Sequence, residues 1–355
     1  MKILLCADLH LNSKMNDLQN TATKRKQELL STFKSIIACA DKENAEAIVI
    51  AGDLFDTDNT ADKILTFVAD CIRSSPHIDF YLISGNHDSR AVLRLAQKKC
   101  DNLHLFADSW ESYEKNGVRF TGRSRLCPEM YGELDLTNEL YNVVVLHGQE
   151  TFSISHTPDS VVIPLLENKG VDLLALGHIH YFHSYPLGEK GVACYPGCPE
   201  GRGFDECGDK GIVIIDTALK GEQSLKFVKL ARRTLHSVSV DIDEKDITLK
   251  DYEDKISSAV EGISEEDMVK VTLRGSFCAE AHKDISYLEQ GLLDRFYYAR
   301  IKDSTTLYVD TAAYAGDISL KGEFIRLLSE LDEEPGFIRE VAECGIKALR
   351  GEDVE

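Results

Sequence analysis

The chain has 355 residues, 43% of them hydrophobic, and a formal net charge of −20. This length accommodates two domains, or one large domain with an appendage, and the apolar content is ordinary for a globular protein. No stretch approaches the ~20 apolar residues of a membrane span, the apolar start Ile3–Ala7 is too short for a signal peptide, and ten scattered cysteines predict reduced thiols in a cytoplasm. Residues 1–236 hold 26 basic and 32 acidic side chains, and residues 237–355 hold 14 and 28. The acidity sits mainly in the C-terminal part, which argues against a basic DNA-wrapping tail but not against a DNA-cleaving site. Cys194, Cys198 and Cys207 lie close together, but their spacing matches no zinc ribbon.

Residues 2–7 read as a strand. Residues 23–43 read as a helix, because Leu29, Leu30, Phe33, Ile36, Ile37 and Ala40 recur at helical spacing. Residues 48–51 are a second strand, 60–74 a helix with Ile64, Phe67, Val68 and Cys71 on one face, and 80–83 a third strand. Such alternation predicts right-handed crossovers and a largely parallel sheet. Short strands at 103–105 and 118–121 precede a polar loop over 124–138. A strong strand at 141–146, a helix over 159–168 and a buried strand at 173–176 follow. Strands at 193–196, 211–216 and 225–229 are predicted to close a second sheet.

The predicted fold is α/β: over residues 1–233, a sandwich of two layered sheets flanked by helices. The composition changes near Thr234, and residues 234–304 read as a small β-α-β-α-β domain. Residues 305–355 form a C-terminal segment. It has no clear period over 305–319, then two helices broken at Pro335-Gly336. Phe324, Leu327, Leu328 and Leu331, then Ile338, Val341, Ala342, Ile346 and Leu349, make apolar stripes that dock a partner or pack on their own domain.

Five motifs carry the chemistry: Asp8-Leu9-His10, Gly52-Asp53-Leu54-Phe55-Asp56, Gly85-Asn86-His87-Asp88, His147-Gly148 and Gly177-His178-Ile179-His180. Each ends or follows a short apolar run, as ligands do at the carboxyl ends of buried strands. Asp, Asn and His without Cys suit Mn, Fe, Zn or Mg. Two metals sharing one bridging carboxylate clamp a phosphate and hold a hydroxide between them. Asp53, on a glycine turn, suits the bridge, and Asp8, His10, Asn86, His147, His178 and His180 supply the remaining ligands. His87 is placed to protonate the leaving alkoxide, with Asp88 or Asp56 orienting its ring.

Any one of these motifs alone is better explained by a turn or a capped hairpin; five in order, each after a buried strand, are not. His183 is either a supporting residue of the site or simply exposed. His77, His104, His156, His236 and His282 read as ordinary surface or loop residues.

Together the five motifs resemble the calcineurin-like metallophosphoesterase superfamily over about residues 1–230. Residues 6–11, 51–56 and the segment from Tyr195 to Gly211 further resemble its bacterial DNA-repair exonuclease branch, the SbcD-type nucleases. The resemblance implies a four-layer αββα sandwich, a small DNA-capping domain and a helical segment that binds an SbcC-type coiled-coil ATPase. It also implies a homodimer and manganese as the usual ion. It assigns Asp8, His10, Asp53 and His180 to one metal, Asp53, Asn86, His147 and His178 to the other, and His87 to catalysis. Some relatives carry His where this chain has Asp56. Arg202 would meet a DNA phosphate, or pair with Asp205 or Glu206 across its turn.

The leading expectation is a DNA phosphodiesterase, an exo- or endonuclease of DNA repair, that attacks phosphorus with the metal-held hydroxide. The net charge favours a small-molecule phosphodiesterase or phosphatase instead. A third reading is a partner-binding subunit with a slow site.

Overall fold

The computed structural model describes the chain except residues 16–17, 19–20, 155–156, 158, 279–280, 309–316, 332 and 351–355. Two compact units emerge, Met1–Thr234 and Leu235–Glu355. His156 and the 309–316 stretch fall outside the described residues.

The first half of the first unit runs β1 (Lys2–Cys6), α1 (Ala22–Glu43), β2 (Ala47–Ala51), α2 (Asp62–Arg73), β3 (Asp79–Ile83), α3 (Ser89–Ala96) and β4 (Leu103–Leu105). The second half runs β5 (Glu111–Lys115), β6 (Val118–Gly122), a short α4 (Met130–Glu133), β7 (Tyr141–His147), β8 (Gln149–Thr151), β9 (Ser160–Val162), β10 (Leu173–Gly177), β11 (His183–Leu187), β12 (Gly191–Tyr195), β13 (Gly211–Asp216) and β14 (Leu225–Lys229). One six-stranded sheet has the order β14-β13-β1-β2-β3-β4, the other β11-β12-β10-β7-β6-β5. In the first, β1 to β4 are parallel, with β13 antiparallel to β1. In the second, β12, β10, β7 and β6 are parallel, and β11 and β5 are antiparallel edges.

Alternation along the strands builds the core between the sheets. Ile3, Leu5, Val49, Ala51, Tyr81 and Ile83 meet Phe120, Val143, Val145, Leu173, Ala175 and Val192. The opposite face of the second sheet packs Val144, Leu146, Leu174 and Leu176 against Met130, Val161, Ile163 and Leu166.

Three local expectations need correction. Residues 159–168 are not a helix but a short strand and a 3-10 turn, Ile163–Leu165. The run Val161-Val162-Ile163 is stiff at χ1, and Pro164 supplies no N–H. Strands β13 and β14 extend the first sheet, not the second. The edge strands β5 and β11 and the helix α3 went unpredicted, because half-exposed edges and an eight-residue helix leave weak periodicity.

The second unit contains β15 (Leu235–Ile242), α5 (Leu249–Ala259), β16 (Met268–Cys278), α6 (Ile285–Arg295), β17 (Tyr298–Asp303), β18 (Thr306–Tyr308), α7 (Leu320–Ser329) and α8 (Pro335–Arg350). Its strands pair in parallel around the central β16. Ile325 and Leu328 of α7 and Ala342 and Ile346 of α8 join the same core as Val240, Val271, Tyr252 and Leu288. The C-terminal helices therefore share the core of the α/β unit, while Leu327, Leu331, Phe337 and Leu349 remain exposed. No helix among the described residues is long and apolar enough to cross a membrane, and none of the ten cysteines, all of them described, is in a disulfide.

Candidate metal centre and active site

All five motifs lie at the carboxyl ends of parallel strands: three on β1, β2 and β3 of one sheet, two on β7 and β10 of the other. Hydrogen bonds tie these strand ends together, first within one sheet and then across to the other. The Asp8 amide donates to the Gly52 carbonyl at 3.1 Å. The His178 amide donates to both Asp8 oxygens at 3.0 Å. Close approach dictates two glycines. A Cβ on Gly52, whose φ is +94°, would lie 2.2 Å from His147 Nδ1, and one on Gly85 would lie 2.1 Å from Asp53 Oδ1. Asp8, His10, Asp53 and His178 have φ of 53°, 43°, 48° and 101°, in or beyond the left-handed region. Such backbone costs L-residues of the order of 1–2 kcal/mol each and persists where surroundings impose it.

The ligand atoms converge. Asp8, His10 and His180 offer atoms within 4.8 Å of one another, and so do Asp8, Asp53 and His147. Asp53 Oδ2 sits between the two groups, 3.6 Å from His10 Nε2 and 3.4 Å from His147 Nε2. Asn86 Oδ1 lies 3.0 Å from His147 Nε2, and the His178 ring stands edge-on to His147 with centroids 5.5 Å apart.

The donor set fits metal ions on an independent observation. His10 is 2% exposed, yet neither ring nitrogen has a hydrogen-bond partner. A buried imidazole whose nitrogens have only carboxylates at 3.5 and 3.6 Å, beyond good hydrogen-bond geometry, is costly unless a cation takes its lone pair. His147 Nδ1 faces the Ala51 carbonyl at 2.8 Å, which makes Nδ1 the protonated nitrogen and leaves Nε2 free to coordinate.

Without a cation the site is electrostatically frustrated. Burial pushes the Asp8 carboxyl up to about 6, against the pull of His147 and His180. Burial also disfavours the charged His147 ring, but its ion pair with Asp53 and the charge of Asp8 outweigh this and raise it to about 9. For Asp53 burial is again opposed, chiefly by His147, and the carboxyl drops to about 2. Two buried carboxylates and an imidazole displaced in this way are what a divalent charge would relieve.

The other predicted residues surround this cluster. His87 is exposed, its ring 5.1 Å from that of His10, and its backbone N–H donates to Asp53 Oδ1 at 3.0 Å. Asp88 does not orient that ring. Its buried oxygens accept from the Gly85 and Phe55 amides at 2.9 and 3.1 Å, so it braces the turns carrying Asp53 and Asn86. Asp56 lies 3.5 Å from His10 Nδ1 and 3.3 Å from Arg202. Arg202 pairs with Glu206 at 2.6 Å as well as with Asp56, the alternative to an open phosphate contact. His183 is half-buried on β11, among Tyr181 and Tyr185. His104 stacks on Tyr81 with centroids 4.9 Å apart, and is not a plain surface residue. His77 is exposed and paired with Asp41, and His236 pairs with Asp267.

Glu206 is the residue that motif reading missed. Its Oε1 lies 2.7 Å from His180 Nδ1, which fixes that imidazole with Nε2 turned toward Asp8. Burial opposes ionisation of Glu206, but His180 and Arg202 outweigh it and hold the carboxyl far below the usual range. Its loop is anchored by a buried network in which Arg25 pairs with Glu200 and Glu28, and Arg233 with Glu28. A cleft of ≈ 320 Å³ adjoins the cluster, lined by Asn86, His147 and His178 on one side and Ser124, Arg125 and Leu126 on the other.

Comparison with known proteins agrees with this geometry. The chain is 27% identical over 261 residues to the uncharacterized metallophosphoesterase YhaO of Bacillus subtilis, covering 67% of this chain and 62% of YhaO, so it spans less than two thirds of that relative. It is 20% identical to the DNA double-strand break repair protein Mre11 of Sulfolobus acidocaldarius, over 96% of this chain and 94% of that protein. A subunit of the SbcCD nuclease of Staphylococcus epidermidis is 31% identical over 128 residues, 34% of this chain and 33% of its own length. The calcineurin-like phosphoesterase profile matches residues 1–182, just over half of the chain. With all five ligand-bearing strand ends meeting at one cluster, the chain belongs to the calcineurin-like phosphoesterase family of metal-dependent hydrolases.

Proposed function

We propose that this protein is a metal-dependent DNA phosphodiesterase of DNA repair, the nuclease partner of a coiled-coil ATPase. In this reading Asp8, His10, Asp53 and His180 hold one divalent ion, and Asp53, Asn86, His147 and His178 hold a second. Manganese is the ion the SbcD-type resemblance suggests. The observation that carries the metal assignment is the Asp53 carboxylate between His10 and His147. The DNA substrate is supported by similarity to Mre11 along nearly the full length of both chains.

When bound, the ions supply Lewis acidity to the phosphate oxygens and lower the pKa of a water. The residues do the rest. Asp53 holds the two ligand groups in register, and Glu206 fixes the tautomer of His180. His87, at the open side of the cluster, gives a proton to the departing sugar oxygen. The exposed Leu327, Leu331 and Phe337 supply an apolar surface for the ATPase.

The net charge of −20 favours a second reading, a phosphodiesterase for a small substrate. One assay separates the two: manganese-loaded protein and its His87→Ala variant on end-labelled duplex and single-stranded DNA, with a chromogenic phosphodiester beside them. The nuclease reading expects DNA laddering that His87→Ala slows by roughly 10²–10⁴-fold. Chromogen turnover with DNA left intact, even with the ATPase added, would sink it.

A further inference from the structure

A strip of aromatic side chains leads away from the metal cluster, and the proposed chemistry makes no use of it. Tyr181 directly follows His180 in the bend before β11, and His183 and Tyr185 alternate onto one side of that strand. Phe182 packs instead against Phe227, with centroids 5.0 Å apart. The rings follow one another: Tyr181 to His183 at 6.2 Å, His183 to Tyr185 at 5.3 Å, and Tyr185 to Phe152 at 5.7 Å. Phe152 comes from the loop beyond β8, five residues after the candidate ligand His147 in the chain. Tyr181 is 58% and Phe152 63% exposed. Exposed large aromatics beside a candidate metal ligand mark a binding surface, and the half-buried His183 and Tyr185, the latter packed on the outer core of the second sheet, join the two exposed rings.

The strip is presented on fixed backbone. The His180 carbonyl accepts from Lys210 Nζ at 2.6 Å. Gly197, with φ of +74°, passes so close that a Cβ there would lie 2.8 Å from the Tyr181 carbonyl carbon. Successive rings are tilted by 42–57°, and the open faces are those of Tyr181 and Phe152 at the two ends.

On the nuclease reading, the occupant is a nucleic-acid strand. Residues 1–236, with 26 basic and 32 acidic side chains, gain little from the counterion release that dominates most nucleic-acid binding. Base stacking on aromatic rings is independent of that term and tolerant of sequence. We propose that Tyr181, His183, Tyr185 and Phe152 form a stacking platform for unpaired bases of a nucleic-acid strand whose phosphodiester lies at the metal cluster. The proposal rests on the nuclease reading of the same site and adds to it the single-stranded character of the substrate where it meets the enzyme.

The test is fluorescence anisotropy of a labelled single-stranded oligonucleotide with the full-length protein in chelator, so that binding is read without cleavage. The wild type, Phe152→Ala/Tyr181→Ala and Phe152→Tyr/Tyr181→Phe are compared, with circular dichroism as the folding check. The alanine pair is expected to weaken binding by roughly 5- to 150-fold per base lost from the stack, and the aromatic pair to restore it. Equal affinity of the wild type and the alanine pair, or no binding by the wild type, overturns the platform. So does loss of a dimer in the alanine pair without loss of strand binding, which would assign the strip to a second copy of the chain. Adding manganese then tests the parent reading separately. A strand that binds through the strip but stays uncut even with the ATPase added removes the nuclease reading and keeps the platform; a strand that is cut while the alanine pair binds it normally does the reverse.

Discussion

At the strand ends of the first unit, Asp8, His10, Asp53 and His178 hold backbone conformations that L-residues avoid. The second unit does the opposite. Among its described residues no non-glycine residue has positive φ. Its helices start by the ordinary rules: Thr248 and Asp251 form a reciprocal capping box, Asp284 accepts from the Tyr287 amide, and Ser319 accepts from the Gly322 amide. Among the described residues, left-handed backbone at non-glycine positions is thus confined to the unit that aims side chains at a ligand, and the other unit keeps local and global preferences in agreement.

Glycine substitution should break this contrast most sharply. Gly52→Ala drives a methyl group into the His147 ring at a left-handed position. It is expected to cut phosphodiester turnover by at least ~100-fold and to weaken manganese uptake, since ångström-scale misplacement of a reacting group costs that much. Gly262 is also left-handed, with φ of +77°, but a Cβ there would meet no atom within 4 Å. Gly262→Ala should cost about 1 kcal/mol in a thermal or denaturant melt and leave turnover intact. Similar turnover losses in both variants would erase the distinction between the units.

Next in size is Glu206→Ala, which frees the His180 ring and leaves Arg202 its pairing with Asp56. Calorimetry should show manganese affinity reduced by roughly 10- to 100-fold; unchanged affinity would mean that His180 is oriented by something else. Proton competition should be visible as well. The metal-free site holds His147 protonated up to about pH 9 and Asp8 up to about pH 6. Binding must displace these protons, so affinity should rise about tenfold per pH unit between pH 7 and 9, and more steeply below pH 6. A flat profile from pH 6 to 8 would contradict the protonation states described. The smallest expected effect belongs to the second unit: Thr248→Ala removes one half of the capping box and should cost about 1 kcal/mol, read from a denaturation midpoint, without touching turnover.

Much of the site was legible in the sequence because each ligand group sits within a few residues of a strand end, where an apolar run announces it. Asp8-x-His10 and Gly52-Asp53 need no long-range information. Glu206 does: it reaches His180 across 26 residues and an irregular loop, and no spacing rule encodes that contact. Asp88 was misread for a related reason. Its neighbour His87 suggested a side-chain pair, but burial sent both its oxygens to backbone amides. The parallel strands of both sheets were readable as continuous apolar runs. Which sheet β13 and β14 join was not, because an antiparallel strand pairs equally well with either free edge until the chain between them is placed.

The bridging role of Asp53 is the central claim, and metal stoichiometry tests it most directly. Equilibrium dialysis or calorimetry should give two manganese ions per wild-type chain. Asp53→Asn, shown to be folded by circular dichroism, should hold fewer than one at concentrations that saturate the wild type. A wild-type chain that takes up one ion or none, or an Asp53→Asn chain that keeps two with unchanged affinity, would contradict the account.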